Sequence, residues 1–279
     1  MSYKILITGA QGFIGSNLKT YLMSKGHGIA EYNEPIDNVV PDCSQFDKVI
    51  HMGAISSTTE RDVEKIMRLN LDFSHRLMQV CDIQGVDFIY ASSASIYGDT
   101  GDFAEDGPVY PQSPYAWSKY LFDRSMQLLG WEQYKMNVKG LRFFNVYGEN
   151  EDHKGDQMSV FHKFKKQAIE TGKVHPFEDS QSYLRDFIYV GDVCDIIEKM
   201  LDIDKSGIYN VGTGVPRSFQ SIADAIAEKY GADIEPIPMP DNLKKQYQTY
   251  TCSNNTKLLE LIGDYKFTTP EEWIETWKD

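Results

Sequence analysis

The 279-residue sequence predicts an α/β fold with a doubly wound parallel sheet and a smaller mixed α/β lobe. Three observations predict it. Short apolar runs alternate with segments of helical periodicity, the pattern of a parallel sheet covered on both faces. The first run leads directly into a glycine-rich turn, Gly9-Ala-Gln-Gly12-Phe-Ile-Gly15. After Asn145 the alternation loosens into shorter elements, as a second lobe requires.

In chain order, Lys4-Ile-Leu-Ile-Thr8 reads as a buried strand and Phe13 to Lys25 as a helix stopped by Gly26. Gly28 to Asn33 and Lys48 to Met52 read as strands, and a helix is expected through Val63 to Gln84. Asp87 to Ala91, Val138 to Asn145 and Phe187 to Val190 are further strands, with a helix over Tyr115 to Leu129. In the looser region the expected elements are helices over Met158 to Thr171 and Phe219 to Tyr230, strands over Gly207 to Val211 and Ile234 to Pro238, and two short C-terminal helices. Only 13 residues, Glu34 to Phe46, separate the second strand from the third run, too few for a crossover helix and another strand. One strand–helix unit of the usual Rossmann-like half is therefore expected to be missing or reduced to a loop. The dinucleotide-binding part is drawn at 1–147 with 186–212, and the substrate lobe at 148–185 with 213–279.

Composition narrows the functional classes. A formal net charge of -13 argues against a nucleic-acid or anionic-membrane partner. The four cysteines are scattered without a Cys-x-x-Cys pair, so no metal site or disulfide framework is expected. Met1 to Thr8 carries no signal-peptide pattern and no apolar stretch approaches a membrane span, so a cytoplasmic protein is expected.

The glycine turn follows a strand and opens a helix, the context a dinucleotide site needs. Gly9 permits the tight turn, Gly12 lets backbone approach a pyrophosphate, and Gly15 allows close helix–strand packing, while the helix N-terminus favours phosphate. The carboxylate that would bind a ribose 2′-hydroxyl is replaced by Asn33 at the end of the second strand, which leaves NAD against NADP open. Tyr115 and Lys119 are four apart and so share one helix face, with Ser93 upstream in Ala91-Ser-Ser-Ala-Ser-Ile-Tyr-Gly98. A phenol has a pKa near about 10, and an adjacent ammonium together with an oxidised nicotinamide favours the phenolate. Such a group removes a hydroxyl proton while hydride leaves the same carbon. The bland reading of the spacing is a solvated helix face.

With the glycine turn, His51-Met-Gly-Ala54, the Ser93 segment and the Tyr115/Lys119 pair in order, the chain resembles the extended short-chain dehydrogenase/reductase superfamily. Within it, the likeness is closest to the ADP-glycero-manno-heptose 6-epimerase group. Further matches are Ser56-Ser-Thr-Thr-Glu60, Arg142-Phe-Phe-Asn-Val-Tyr-Gly148, His153-Lys-Gly155, Arg185-Asp-Phe-Ile-Tyr-Val-Gly-Asp192, Tyr209-Asn-Val-Gly-Thr-Gly214 and Pro238-Met-Pro-Asp-Asn-Leu-Lys244 with Tyr247. The resemblance implies that Ser93 hydrogen-bonds the reacting oxygen, Tyr115 is one acid/base, Lys119 orients the nicotinamide ribose and lowers the tyrosine pKa, and Lys154 is a second acid/base. It implies NAD(P) as cofactor, with NADP favoured, held by Gly9, Gly12, Phe13, Ile14, Gly15, Asn33, Met52, Gly53, Ala54, Asn70, Tyr115, Lys119 and Val146. A nucleotide-sugar substrate would meet Ser93, Asn145, Lys163, Phe177, Ser180, Arg185 and Tyr247. A homo-oligomer is a further implication.

Plainer readings stand beside these. Ser93 would cap a strand end, Lys154 would be a solvated loop lysine, and Arg185 would pair internally with Asp186. His51, in an apolar strand, reads as packed rather than catalytic, His162 as non-catalytic, and Phe143, Phe144 and Tyr147 as core. Asp156 and Lys163 depart from the group's pattern, which has a small hydroxyl residue and a histidine there, so the sugar need not be the same heptose. A UDP-hexose 4-epimerase shares Ser93, Tyr115 and Lys119 without needing Lys154. A 4,6-dehydratase fits less well, because Ala94-Ser95 rather than an acidic pair follows Ser93. An inactive dinucleotide-binding module is the non-enzymatic alternative.

Overall fold

A computed structural model describes residues 1–33, 39–53, 55–57, 60–241 and 248–278. Its centre is a parallel sheet of strands β1 (Lys4–Thr8), β2 (Gly28–Tyr32), β3 (Lys48–His51), β4 (Asp87–Ser93), β5 (Val138–Phe143) and a last strand, Gly207–Val211. In space they lie in the order last strand, β5, β4, β3, β1, β2. The chain leaves β1 toward β2 on one side and crosses to β3 on the other. The crevice outside the carboxyl ends of β1 and β3 is therefore the switch point where ligands bind in such sheets. Among the described residues the sheet ends at β2, so no strand flanks it where the usual third strand would lie. The foreshortened stretch after Asn33 lies partly outside the described residues.

Helix α1 (Phe13–Ser24) starts from Gly12 and buries Phe13, Gly15, Leu18 and Leu22 against the sheet. The expected helix over Val63 to Gln84 is broken internally. Helix α2 (Val63–Ile66) passes through a π-helical turn, Met67–Asp72, before α3 (Phe73–Gln84). The wider turn carries Asn70, which is buried, and such insertions often mark functional sites. Helix α4 (Pro114–Leu128) is capped by Ser113, whose hydroxyl accepts from the Ala116 amide, with Pro114 pre-set at the first turn.

Two strand expectations need correction. Val138 to Asn145 is not one strand: β5 ends at Phe143, and β6 (Asn145–Tyr147) pairs instead with a strand at Phe187–Tyr189. The amide of Phe144 still reaches Val211, whereas that of Asn145 donates to the Asp186 carbonyl, so the chain changes sheets at this point. The run Ile234 to Pro238 shrinks to Asp233–Ile234, with Ile237 bridging Phe177. Pro236 and Pro238 lack the N–H groups that a longer ladder needs.

Two apolar cores flank the main sheet, one under α1 and the helix Val190–Met200, the other under α3 and α4. A third core joins Tyr147, Phe161 and Phe187 to Ile222, Ile226 and Trp273. It welds helix α5 (Val160–Thr171) to the helix Phe219–Tyr230 and the C-terminal helix Pro270–Thr276 beside the cleft. No helix is long and apolar enough to cross a membrane among the described residues.

Candidate active site

The carboxyl ends of β1, β3, β4 and β5 open into a cleft of about 630 Å³. Its floor is the glycine turn. Gly9 has φ +71°, and a Cβ there would lie 2.5 Å from Gly53 backbone. A Cβ on Gly15 would lie 2.1 Å from the Gly9 carbonyl, so the close start of α1 requires glycine. Gly12 differs: its Cβ would meet only the Gly9 carbonyl, at 3.3 Å, and otherwise stand in the cleft. That open cradle at a helix N-terminus fits a dinucleotide pyrophosphate.

Gly9, Gly12, Phe13, Ile14, Gly15, Met52, Gly53 and Val146 line this cleft together with Ser93, Tyr115, Lys119, Asn145 and Lys154. Tyr115 is buried, and its phenol is hydrogen-bonded to Ser93. The Lys119 ammonium donates to the Ala91 carbonyl at 2.8 Å and stands 6.0 Å from the centre of the Tyr115 ring. Burial pushes the Tyr115 phenol above its ordinary value, and the Ser93 hydrogen bond pulls the other way. Burial also lowers Lys119 to about 8, opposed by Asp123. The phenol's shift is thus set by burial and Ser93 rather than by its lysine neighbour, whose ammonium has also left water and is directed at a carbonyl.

Asn70 shapes the cleft from behind. Its amide oxygen accepts from the Ile55 amide, while its Nδ2 donates to the Ile55 carbonyl and to Ser118 Oγ, tying the loop after β3 to α4. His51 is enclosed, in hydrogen bonds with Thr8 Oγ1 and Ser74 Oγ, and burial lowers it to about 3, so it is a neutral packed residue. His162 bonds the Gly148 carbonyl and leans on Trp277, outside the cleft.

Lys154 lines the cleft from the turn Asp152–Gln157. Its ammonium is 4.7 Å from the Phe13 ring centre and 3.0 Å from the Glu151 carboxylate. With its side chain 23% exposed, it is not the solvated loop lysine of the plainer reading. The turn is docked to α1, because Asn17 Nδ2 donates to the Glu149 carbonyl and Asn150 Nδ2 to Asn17 Oδ1.

Other expected residues are elsewhere. Asn33 is exposed at the end of β2 and donates to Glu31 Oε2. Lys163 is exposed on α5 and does not line the cleft. Ser180 donates to Gln220, and Phe177 is half-buried beside it, both off the cleft wall. Arg185 donates to the Leu184 and Gln248 carbonyls and lies 5.5 Å from the ring of Phe219, which does line the cleft. Asp186 accepts from Thr213, Gly214 and Ser253. Ala54 and Tyr247 lie outside the described residues.

Sequence reasoning missed Gln157, Ser159 and Phe219, which line the cleft without any motif to betray them, and gave no role to Ser56, which lines it from the Ser56–Glu60 motif. It also missed Asp123, one turn beyond Lys119 on the same face of α4, a spacing legible in advance. A larger concavity, about 680 Å³, lies between α5 and the C-terminal residues, but it gathers none of the Ser93, Tyr115 and Lys119 groups.

The sequence profile described as the NAD dependent epimerase/dehydratase family matches residues 5–212. Among solved structures, the chain is similar to the ADP-L-glycero-D-manno-heptose-6-epimerase of Helicobacter pylori, at 26% identity and a TM-score of 0.87, over 99% of this chain and 94% of that one. It is also similar to the UDP-glucose 4-epimerase of Thermotoga maritima, solved with UDP-glucose, at 25% identity and a TM-score of 0.85, over 98% and 96%. The UDP-glucose 4-epimerase of Thermus thermophilus, solved in complex with NAD, matches at 25% identity and a TM-score of 0.80, over 98% of both chains.

Proposed function

Since this chain belongs to the NAD dependent epimerase/dehydratase family, we propose that it is a nucleotide-sugar epimerase of the ADP-glycero-manno-heptose 6-epimerase kind. It would invert a carbinol through a transient ketone, using two acid/base groups. One observation carries this reading: the Ser93–Tyr115 pair and the Lys154 ammonium line the same cleft as the glycine turn.

When bound, the oxidised nicotinamide supplies the hydride acceptor and a positive charge beside the phenol. The chain's own residues do the rest. Backbone at Gly12 and the N-terminus of α1 hold the pyrophosphate. Ser93 Oγ fixes the carbinol oxygen, and Tyr115 Oη takes its proton as the carbon is oxidised. Lys119 supplies the positive charge next to that phenol. The ketone then turns over, and Lys154 Nζ gives or takes the proton at the same oxygen in its second orientation. Arg185, behind the cleft-lining Phe219, is the guanidinium assigned to the diphosphate in this reading. The free, scattered cysteines favour a reducing cytoplasm, and the exposed Trp117 and Leu121 on α4 favour pairing of copies.

The test incubates the protein with ADP-, UDP- and GDP-sugars in deuterated water, read by NMR. Inversion at a single carbinol carbon that keeps its protium is the expected result. Absence of inversion in every sugar, with cofactor bound, overturns the reading. A UDP-hexose 4-epimerase is the second reading. The Lys154 ammonium is occupied by Glu151 and stands over Phe13 of the cofactor loop, a position that also suits a purely cofactor-side role. Lys154→Ala separates the two: it cripples inversion of a heptose and spares inversion at C4 of a hexose.

A further inference from the structure

The cleft lysine is held from outside the cleft. Glu151 is completely buried, yet it does not line the cavity. Its Oε2 accepts from Lys154 Nζ at 3.0 Å and from the Ser159 amide at 2.7 Å, and its Oε1 accepts from the Gly148 amide at 3.3 Å. Ser159 is the N-cap residue of α5, and its own side chain makes no capping bond. The carboxylate therefore stands at the positive end of a 12-residue helix while pairing with the ammonium.

The backbone around it is built for this placement. Asn150 takes a left-handed conformation at φ +66°, and Gly155 lies at φ +53° on the other side of the lysine. A non-glycine residue in that region persists only where its surroundings over-determine it. Here the Asn150 side chain is bound to Asn17 of α1, so the turn is clamped to the cofactor helix. With the turn clamped and the carboxylate buried, the Lys154 side chain runs across the Phe13 ring, its ammonium 4.7 Å from the ring centre.

We propose that Glu151 is a positioning residue for Lys154. It aims the ammonium across the cofactor loop into the cleft and supplies the counter-charge for each proton the lysine gives up or regains. The proposal rests on the reading of Lys154 as second acid/base. It adds that this base works as a carboxylate–lysine dyad, one member of which never touches substrate.

The dyad predicts a division of labour that a structural role would not. Glu151→Gln keeps the volume and an oxygen able to accept from the Ser159 amide, but loses the charge. Glu151→Asp keeps the charge on a shorter arm. The first readout needs no substrate: reductive methylation of the folded protein with formaldehyde and cyanoborohydride, followed lysine by lysine with peptide mass spectrometry. Lys154 should label about tenfold faster in Glu151→Gln, because an ammonium engaged by a buried carboxylate is withdrawn from reaction. The other lysines should keep their rates. Unchanged labelling of Lys154 overturns the proposal.

The second readout is turnover of ADP-glycero-manno-heptose and UDP-glucose. Glu151→Gln should lower kcat about 10²-fold with KM and NAD(P) affinity little changed, the signature of a misplaced catalytic group. Glu151→Asp should recover part of that loss. In Lys154→Ala, adding Glu151→Gln should cost nothing more, since both act through one group. Independent, multiplying losses overturn the dyad. If Lys154→Ala is itself fully active, the two-base reading fails while the labelling still judges the Glu151–Lys154 pairing by itself.

Discussion

Tyr115 and Lys119 lie one turn apart on α4 and send their polar ends to different partners, the phenol to Ser93 and the ammonium to the Ala91 carbonyl. Both partners belong to β4, so the end of that strand holds the polar groups of both side chains. Behind them Asp123 accepts from Tyr90, Ser92 and Arg142 in one buried network.

Removing the phenol oxygen alone should stop the chemistry. Tyr115→Phe keeps the buried ring and is expected to lower turnover by about 10³-fold or more. Cofactor titration followed by nicotinamide fluorescence should match the parent protein. Retention of more than a tenth of the activity would remove Tyr115 from the acid/base role.

The enclosed imidazole makes the fold acid-sensitive. His51 lies at about 3 when folded, against an ordinary value of 6.5. Between those values the unfolded chain binds a proton that the folded chain refuses, so stability falls as pH drops through 6.5 and the loss is complete near 3. By pH 5 this amounts to about 2 kcal/mol. Denaturant unfolding at pH 7 and pH 5 should show that extra loss in the parent protein and not in His51→Gln.

Two glycines of one turn should fail in different ways. Gly15→Ala forces a Cβ to 2.1 Å from a backbone carbonyl and should destabilise the whole protein. Gly12→Ala meets backbone only at 3.3 Å and should melt within about 1 kcal/mol of the parent. Its methyl would stand in the cleft where the proposed function places the pyrophosphate, so NAD(P) affinity should fall about tenfold or more. Calorimetric melting beside cofactor titration separates the two effects.

Charge balance under the site rests on Asp123, which is fully buried against Arg142 at 2.8 Å. Asp123→Asn leaves that guanidinium uncompensated and should destabilise the fold by about 3–5 kcal/mol. A melting temperature lowered by roughly 10 °C is the expected observation. An unchanged melt would mean that Tyr97 and the Glu105 carbonyl, the other Arg142 acceptors, suffice alone.

Much of the architecture was written locally. The apolar runs at Lys4–Thr8 and Gly207–Val211, the helix over Phe219–Tyr230 and the glycine turn emerge as anticipated, because periodicity and glycine punctuation act over a few residues. The break at Phe144 and the π-helical turn at Asn70 were not legible. Each is imposed by a partner distant in sequence, the Asp186 carbonyl for Asn145 and the Ile55 backbone for Asn70.

By itself the sequence determined the sheet, its foreshortened edge, the glycine turn and the candidate groups that meet in the cleft, since these follow from side-chain chemistry and short spacings. Tertiary structure alone decided how those groups are poised. Burial raises the Tyr115 phenol and lowers Lys119, and a carboxylate outside the cleft takes hold of Lys154. Desolvation and charge pairing depend on which atoms surround a group in space, and that neighbourhood exists only once distant segments have packed together.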